Sequence, residues 1–292
     1  MAADTIVDVK DLQLHFKIDE DYTVKAVDGI SLDIKDGEVF GLVGETGCGK
    51  STTARAICGM YRPTGGDVLY RGESVQEKAT INRMHKEVQM IFQDSGAALN
   101  PKLTVQKIIL EPLEINHIPV NSAKTKERLD FILSKSGLDA SYLSKYPQEL
   151  SGGQRQRVAI ARSLMMEPKL VVADEPVASL DISIQAQIIN LFKHLQKEHN
   201  FTFLFIAHDL SVVRFISDRV GVMLRGRLVE LGETEELFNN PVHPYTKSLL
   251  SAIHIPDPEY ERNKTFLEYD TDRQLGEKMI EVTPGHFVLE EV

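Results

Sequence analysis

The stretch Val39-Phe40-Gly41-Leu42-Val43-Gly44-Glu45-Thr46-Gly47-Cys48-Gly49-Lys50-Ser51 constrains this chain more than any other. Its first five residues are an unbroken apolar run behind the turn signal Asp36-Gly37, the pattern of a strand buried on both faces. The next eight fit G-x-x-x-x-G-K-[ST], and Lys50–Met60 reads as a helix ending near Pro63. A glycine-rich turn between a buried strand and a helix directs backbone N–H groups inward, where the positive end of the helix dipole strengthens their pull on an anion. Lys50 is expected to reach the β- and γ-phosphate oxygens of a nucleoside triphosphate, and the Ser51 hydroxyl to ligate Mg²⁺. Gly44, Glu45, Thr46, Gly47, Cys48, Gly49 and Thr52 complete the expected binding loop.

The rest of the chain supplies a scaffold for that loop. Ile6–Phe16 and Val24–Ile34 are β-branched and partly alternating, as in a small sheet. Val88–Phe92, Leu170–Ala173 and Phe203–Ala207 are further apolar strands, and Val220–Leu224 with Leu228–Leu231 form a hairpin around Arg225-Gly226. Between them the pattern is helical. Leu129, Ile132, Leu133 and Ser136 share a face closed by Gly137, and Ile184, Ile188, Leu191, Phe192 and Leu195 recur before Asn200. Strands alternating with helices predict a mostly parallel α/β sheet interrupted by a helical insertion of about 60 residues.

Two further elements carry chemistry. Asp174 and Glu175 end the Leu170–Ala173 strand; Asp174 is placed to hold Mg²⁺ and Glu175 to orient or deprotonate an attacking water, although two carboxylates after a strand also serve as helix caps. Leu150-Ser151-Gly152-Gly153-Gln154 then precedes a helix over Arg157–Leu164. Here the sequence resembles the ATP-binding cassette (ABC) family, whose signature is L-S-G-G-Q. The remaining family motifs follow in order. Gln93 matches the Q-loop, a contact to Mg²⁺ or water. Ala178-Ser179-Leu180-Asp181 stands at the D-loop with Ala and Ser exchanged, and His208 matches the switch histidine on the γ-phosphate. For the aromatic that stacks on adenine the resemblance favours Phe16, with Tyr22 as competitor.

The resemblance implies an ABC-type nucleotide-binding domain: a RecA-like core with an antiparallel β-subdomain, over residues 1–240, and a helical subdomain inserted at about 98–160. A C-terminal extension spans 241–292. Val24-Lys25-Ala26-Val27-Asp28-Gly29, Leu99-Asn100-Pro101 and Ser183-Ile184-Gln185-Ala186-Gln187 are similar to the ATPases of oligopeptide and dipeptide importers. So are Asn240-Pro241-Val242-His243-Pro244-Tyr245-Thr246 and Ile255-Pro256-Asp257-Pro258. Cysteine is absent after Cys58, so the chain resembles the second ATPase subunit rather than the one with a C-terminal cysteine cluster. Ser95-Gly96-Ala97-Ala98 departs from the subfamily's Pro-Tyr-Ala-Ser, on the surface expected to face the permease. Implied partners are a paralogous ATPase, two transmembrane permease subunits and, through them, an extracellular or periplasmic substrate-binding protein. Two ATPases would face head to tail, so that Ser151, Gly152, Gly153, Gln154 and Asp181 serve the partner's nucleotide.

Composition limits the alternatives. The 292 residues include 33 Lys and Arg against 43 Asp and Glu, and this net charge of −10 argues against gripping nucleic acid. The last 38 residues hold ten acidic and four basic side chains, the composition of a solvated tail. Two cysteines form no disulfide framework, no signal peptide opens the chain, and no apolar run spans a membrane, so the expected location is peripheral, on the cytoplasmic face of the cell membrane. Three rivals stand beside the peptide importer: the same machinery carrying nickel or oligosaccharides, a soluble ABC ATPase acting on ribosomes or DNA, and a non-catalytic scaffold.

Overall fold

The computed structural model describes residues 4–20, 22–178, 180–253, 264 and 266–291. Strands β1 (Thr5–Lys17), β2 (Thr23–Lys35) and β3 (Val39–Val43) lead into helix α1 (Lys50–Ile57). β4 (Gly65–Tyr70), β5 (Glu73–Ser74), α2 (Lys78–Glu87) and β6 (Val88–Ile91) follow, then four helices: α3 (Ser95–Ala98), α4 (Val105–Ile115), α5 (Ala123–Ser136) and α6 (Gly152–Leu164). The chain returns through β7 (Leu170–Asp174), α7 (Ile182–His199), β8 (Thr202–Ile206), α8 (Leu210–Ile216), β9 (Arg219–Leu224) and β10 (Arg227–Glu233). It closes with α9 (Thr234–Asn239), α10 (Pro244–Ser251), β11 (Leu275–Thr283) and β12 (His286–Glu291).

Two sheets result. One is antiparallel, in the order β2-β1-β4-β5; the other has eight strands, β11-β12-β10-β9-β3-β8-β7-β6. In the larger sheet β6, β7, β8, β3 and β9 run parallel, and β3 sits between β8 and β9 with Gly41 opposite Phe205 and Val220. Alternation along each strand divides the core. Phe40, Leu42, Val172, Leu204 and Ile206 face the small sheet, against Leu12, Leu14 and Ile30. Val39, Val43, Val171, Phe203 and Phe205 face the helices, against Ile109, Ile160 and Phe192.

The helical stretch divides where its caps dictate. Ser122 Oγ accepts from the Thr125 N–H at 3.1 Å to start α5, and Gly137 ends it at φ 64°. α1 ends at Ile57, three residues short of the expected Met60. β4 escapes the periodic signal because Gly65-Gly66 opens it and only Val68-Leu69-Tyr70 is apolar.

The acidic C-terminal segment is not uniformly a solvated tail, as its composition suggests. Its end forms the hairpin β11–β12, and β12 extends the main sheet by pairing Val288 with Glu230 and Phe287 with Leu231 of β10. The apolar run Phe287-Val288-Leu289 supplies the reason: Val288 and Leu289 are buried there, while β11 turns its charges to water. Among the described residues no helix is long and apolar enough to cross a membrane.

Candidate nucleotide site

Four neighbouring parallel strands deliver the predicted residues to one edge of the sheet. The phosphate loop follows β3, Gln93 follows β6, Asp174 ends β7 with Glu175 just after it, and His208 follows β8. The carboxyl ends of parallel strands are where an open α/β sheet leaves a crevice for ligands.

The loop is held by close backbone approaches that only glycine allows. Gly44 has φ +144°, and a Cβ there would lie 2.2 Å from the Met223 carbonyl oxygen. Gly49 has φ +109°, with a Cβ 2.2 Å from the Ala26 carbonyl oxygen. Gly49 also caps α1 without a side-chain acceptor, so the first N–H groups of that helix stay available to an anion. Lys50 is 4% exposed, and its Nζ donates to the carbonyl oxygens of Gly44 and Glu45 at 2.7 and 2.8 Å, 3.7 Å from Cys48 Sγ. Burial pushes the Cys48 thiol up, against the pull of the Lys50 ammonium.

Ser51 Oγ donates to Asp174 Oδ1 at 2.8 Å. Asp174 is 1% exposed, and burial raises its carboxyl above the ordinary aspartate value while the Ser51 hydroxyl opposes that shift. Glu175 sits at φ 46°, its N–H donating to the Ile206 carbonyl at 3.0 Å. Its Oε2 accepts from Gln93 Nε2 at 2.7 Å and lies 3.8 Å from Nδ1 of His208, a side chain 58% exposed. A carboxylate, an amide and an imidazole thus meet above the end of β7.

A cleft of about 870 Å³ opens over this cluster, lined by Thr46, Gly47, Gly49, Lys50, Ser51, Thr52, Gln93 and Glu175. Tyr22 and Val24 form part of its wall, with Arg225, Arg227, Gln274 and Leu275. Phe16, the favoured adenine partner, is not on that lining. Its ring meets Tyr61 edge-on at 5.6 Å, although strand pairing sets it opposite Val24. Both aromatics therefore flank the same wall, and Tyr22 is the one that lines it.

Ser151, Gly152, Gly153 and Gln154 lie away from this lining, at the start of α6. Ser151 Oγ accepts from the Gln154 N–H at 3.3 Å, and the Ser151 N–H donates to Gln154 Oε1 at 2.9 Å, a reciprocal cap. Asp181 opens α7 without a side-chain cap bond. Ser179 of the D-loop and Ile255-Pro256-Asp257-Pro258 lie outside the described residues.

Sequence reasoning missed the contribution of the C-terminal segment. The Glu45 N–H donates to the Tyr245 hydroxyl at 3.1 Å across 200 residues of chain. Arg225 Nη1 donates to the carbonyls of Thr271 and Arg273 at 2.8 and 3.1 Å, setting Gln274 and Leu275 on the cleft wall. Tyr245 stands in the His-Pro-Tyr run quoted above, but nothing local in that run points to the loop.

A phosphate loop after the central strand, with a buried Asp two strands away on the far side of β8 and a Glu–Gln–His cluster over it, defines a nucleotide-triphosphatase core. The chain belongs to the ABC transporter ATPase family, whose profile, described as ABC transporter, matches residues 27–178. A second profile, the C-terminal region of oligopeptide/dipeptide transporters, matches residues 229–273. The chain is 51% identical to the oligopeptide transport ATP-binding protein OppF of Bacillus subtilis (strain 168), over 97% of this chain and 95% of that one. It is 47% identical to the dipeptide transport ATP-binding protein DppF of Lactococcus lactis subsp. cremoris (strain MG1363), over 97% and 93%. Among solved structures, cbiO1 of Clostridium perfringens, part of the ABC transporter complex cbiONQ, superposes with a TM-score of 0.71 at 30% identity, covering 81% of this chain and 92% of that one. The ATP-binding cassette MJ0796, a dimer with ADP and Pi in a post-hydrolysis state, gives 0.71 at 28% identity over 78% and 98%.

Proposed function

We propose that this chain is the ATP-hydrolysing subunit of a membrane importer for oligopeptides or dipeptides, working as a dimer with a related ATPase on the cytoplasmic face of the permease. The observation that carries the peptide assignment is the match of residues 229–273 to the oligopeptide/dipeptide C-terminal region, joined to 51% and 47% identity, over 97% of the chain, with transport ATPases of that kind. Residues 1–240 would be the cassette, with the helical insertion at about 98–160, and 241–292 the extension.

In this reading the N–H groups from Thr46 to Thr52 cradle the α- and β-phosphates, and Lys50 leaves its two loop carbonyls for the β/γ oxygens. The adenine lies on the wall of Tyr22 and Val24, with Phe16 across the strand pair. Ser51 and Asp174 suit Mg²⁺: a hydroxyl beside a buried carboxylate is a hard oxygen donor pair that takes the ion together with phosphate oxygens. Bound there, Mg²⁺ would neutralise charge building on the transferred phosphoryl group. Glu175 takes the proton of the attacking water, Gln93 holds the carboxylate's orientation through its 2.7 Å bond, and the exposed His208 reaches the γ-phosphate. Ser151–Gln154 and Asp181 complete the partner's site, so ATP binding draws two chains together and hydrolysis releases them.

Pull-down from native membranes in mild detergent tests this. Recovery of two multi-spanning proteins and a second related ATPase is expected, with the associated binding protein taking peptides. A binding protein that takes nickel or oligosaccharides overturns the substrate assignment. Recovery only from the soluble fraction or with ribosomes overturns the importer.

A further inference from the structure

The peptide group joining Gly44 to Glu45 opens the phosphate loop, and it is gripped at both ends. Its carbonyl, on Gly44, accepts from Lys50 Nζ at 2.7 Å, and its N–H, on Glu45, donates to the Tyr245 hydroxyl at 3.1 Å. A peptide group is planar, so fixing both ends fixes the orientation of the whole plane. Only one grip is permanent. When Lys50 turns to phosphate, Tyr245 is the contact that keeps the plane from rotating.

Tyr245 is itself immobilised. It is 1% exposed, and its N–H donates to His243 Nδ1 at 3.1 Å. The N–H groups of Val242 and His243 donate to Glu230 Oε1 and Oε2 at 2.8 and 3.0 Å, and His286 Nε2 lies 2.8 Å from Glu230 Oε1. Glu230 and His286 are buried, on β10 and β12. An unbroken series of hydrogen bonds and covalent structure thus runs from the terminal hairpin through α10 to the loop.

We propose that Tyr245 is a positioning residue of the ATP site, through which the C-terminal extension holds the phosphate loop in its anion-binding shape. The inference rests on the ATPase reading of that loop. The hydroxyl, not the ring, carries the role; the ring packs into the hydrophobic core and against Tyr269, at 5.6 Å between centroids.

Tyr245→Phe keeps the ring and removes the acceptor. In the assembled transporter the KM for ATP is expected to rise about fivefold, the scale of one neutral hydrogen bond, with kcat little changed because Gln93 and Glu175 are untouched. In the nucleotide-free full-length chain, hydrogen exchange at the Glu45 amide should speed up while β7 and β8 keep wild-type protection. An unchanged KM with unchanged Glu45 exchange overturns the proposal. So does faster exchange throughout the chain, which would mean that the hydroxyl serves only packing. Wild-type protein that binds no ATP would instead overturn the ATPase reading, with this inference falling alongside it.

Discussion

Glycines stand at the start of both α1, capped by Gly49, and α6, which opens with Gly152-Gly153, yet their N-termini are finished in opposite ways. α1 starts behind Gly49 with no side chain on its N–H groups, its lysine buried and its loop pressed against Met223 and Ala26. α6 starts behind Ser151, whose side chain and that of Gln154 satisfy each other's backbone donors at the surface. On the proposed reading the first is an anion site within one chain, since helix N–H groups left uncapped need an outside acceptor. The second already has its Gln154 N–H held by Ser151, and on the proposed reading it takes a ligand only when another molecule brings one. The difference teaches that a glycine-flanked helix start is not in itself a binding site; what the cap already holds decides.

The largest effect belongs to the chemistry at the first start. Glu175→Gln should lower ATP turnover by about a hundredfold or more while ATP stays bound and the assembly stays closed, measured as hydrolysis and co-purified nucleotide. Wild-type turnover in that variant would remove Glu175 from its role. Ser151→Ala probes the second start. Loss of the cap should cost about 1 kcal/mol of stability, leave ATP binding by the isolated chain unchanged, and reduce hydrolysis in the assembled transporter about tenfold. Weakened binding in the isolated chain would break the comparison, because it would put Ser151 in its own site.

Asp174→Asn sharpens it from the side of stability. The fold holds the Asp174 proton more tightly than an unfolded chain does, because burial raises its pKa above 3.8. Stability from this group is therefore greatest at low pH and is lost as pH rises through the raised value. At pH 7 the amide variant should melt a few degrees higher in the absence of nucleotide, yet hydrolyse ATP poorly. A lower melting temperature would contradict the cost assigned to the buried carboxylate. The smallest effect is at Cys48. Its raised pKa makes alkylation slow at neutral pH and faster as pH rises, and ATP over the loop should slow it several-fold further. Equal labelling with and without ATP would place the thiol away from the nucleotide.

Much of the fold is legible in one dimension, for identifiable reasons. β3, β7 and β8 are apolar except for Asp174 at the end of β7 and Thr202 at the start of β8, because both faces are covered, and α5 announces itself through Ser122, its apolar stripe and Gly137. β4 and the terminal hairpin are not legible. β4 has three apolar residues behind two glycines, and β11–β12 sets only the short apolar run Phe287-Val288-Leu289 among charged residues, in a segment whose net charge reads as solvated. The pairing of Val288 with Glu230 converts that segment into sheet, and no local signal records it.

What the sequence determined by itself is the loop, its strand and its helix: apolar periodicity, glycines at positions of positive φ, and a lysine and serine at fixed offsets are local facts. The tertiary structure decided which distant groups share the site. Gln93 meets Glu175 because β6 lies beside β7, Ser51 meets Asp174 because β3 and β7 both flank β8, and Glu45 meets Tyr245 because α10 returns beneath the loop. The physical reason is that a hydrogen bond depends on distance in space, and strand order, which no single segment encodes, sets that distance.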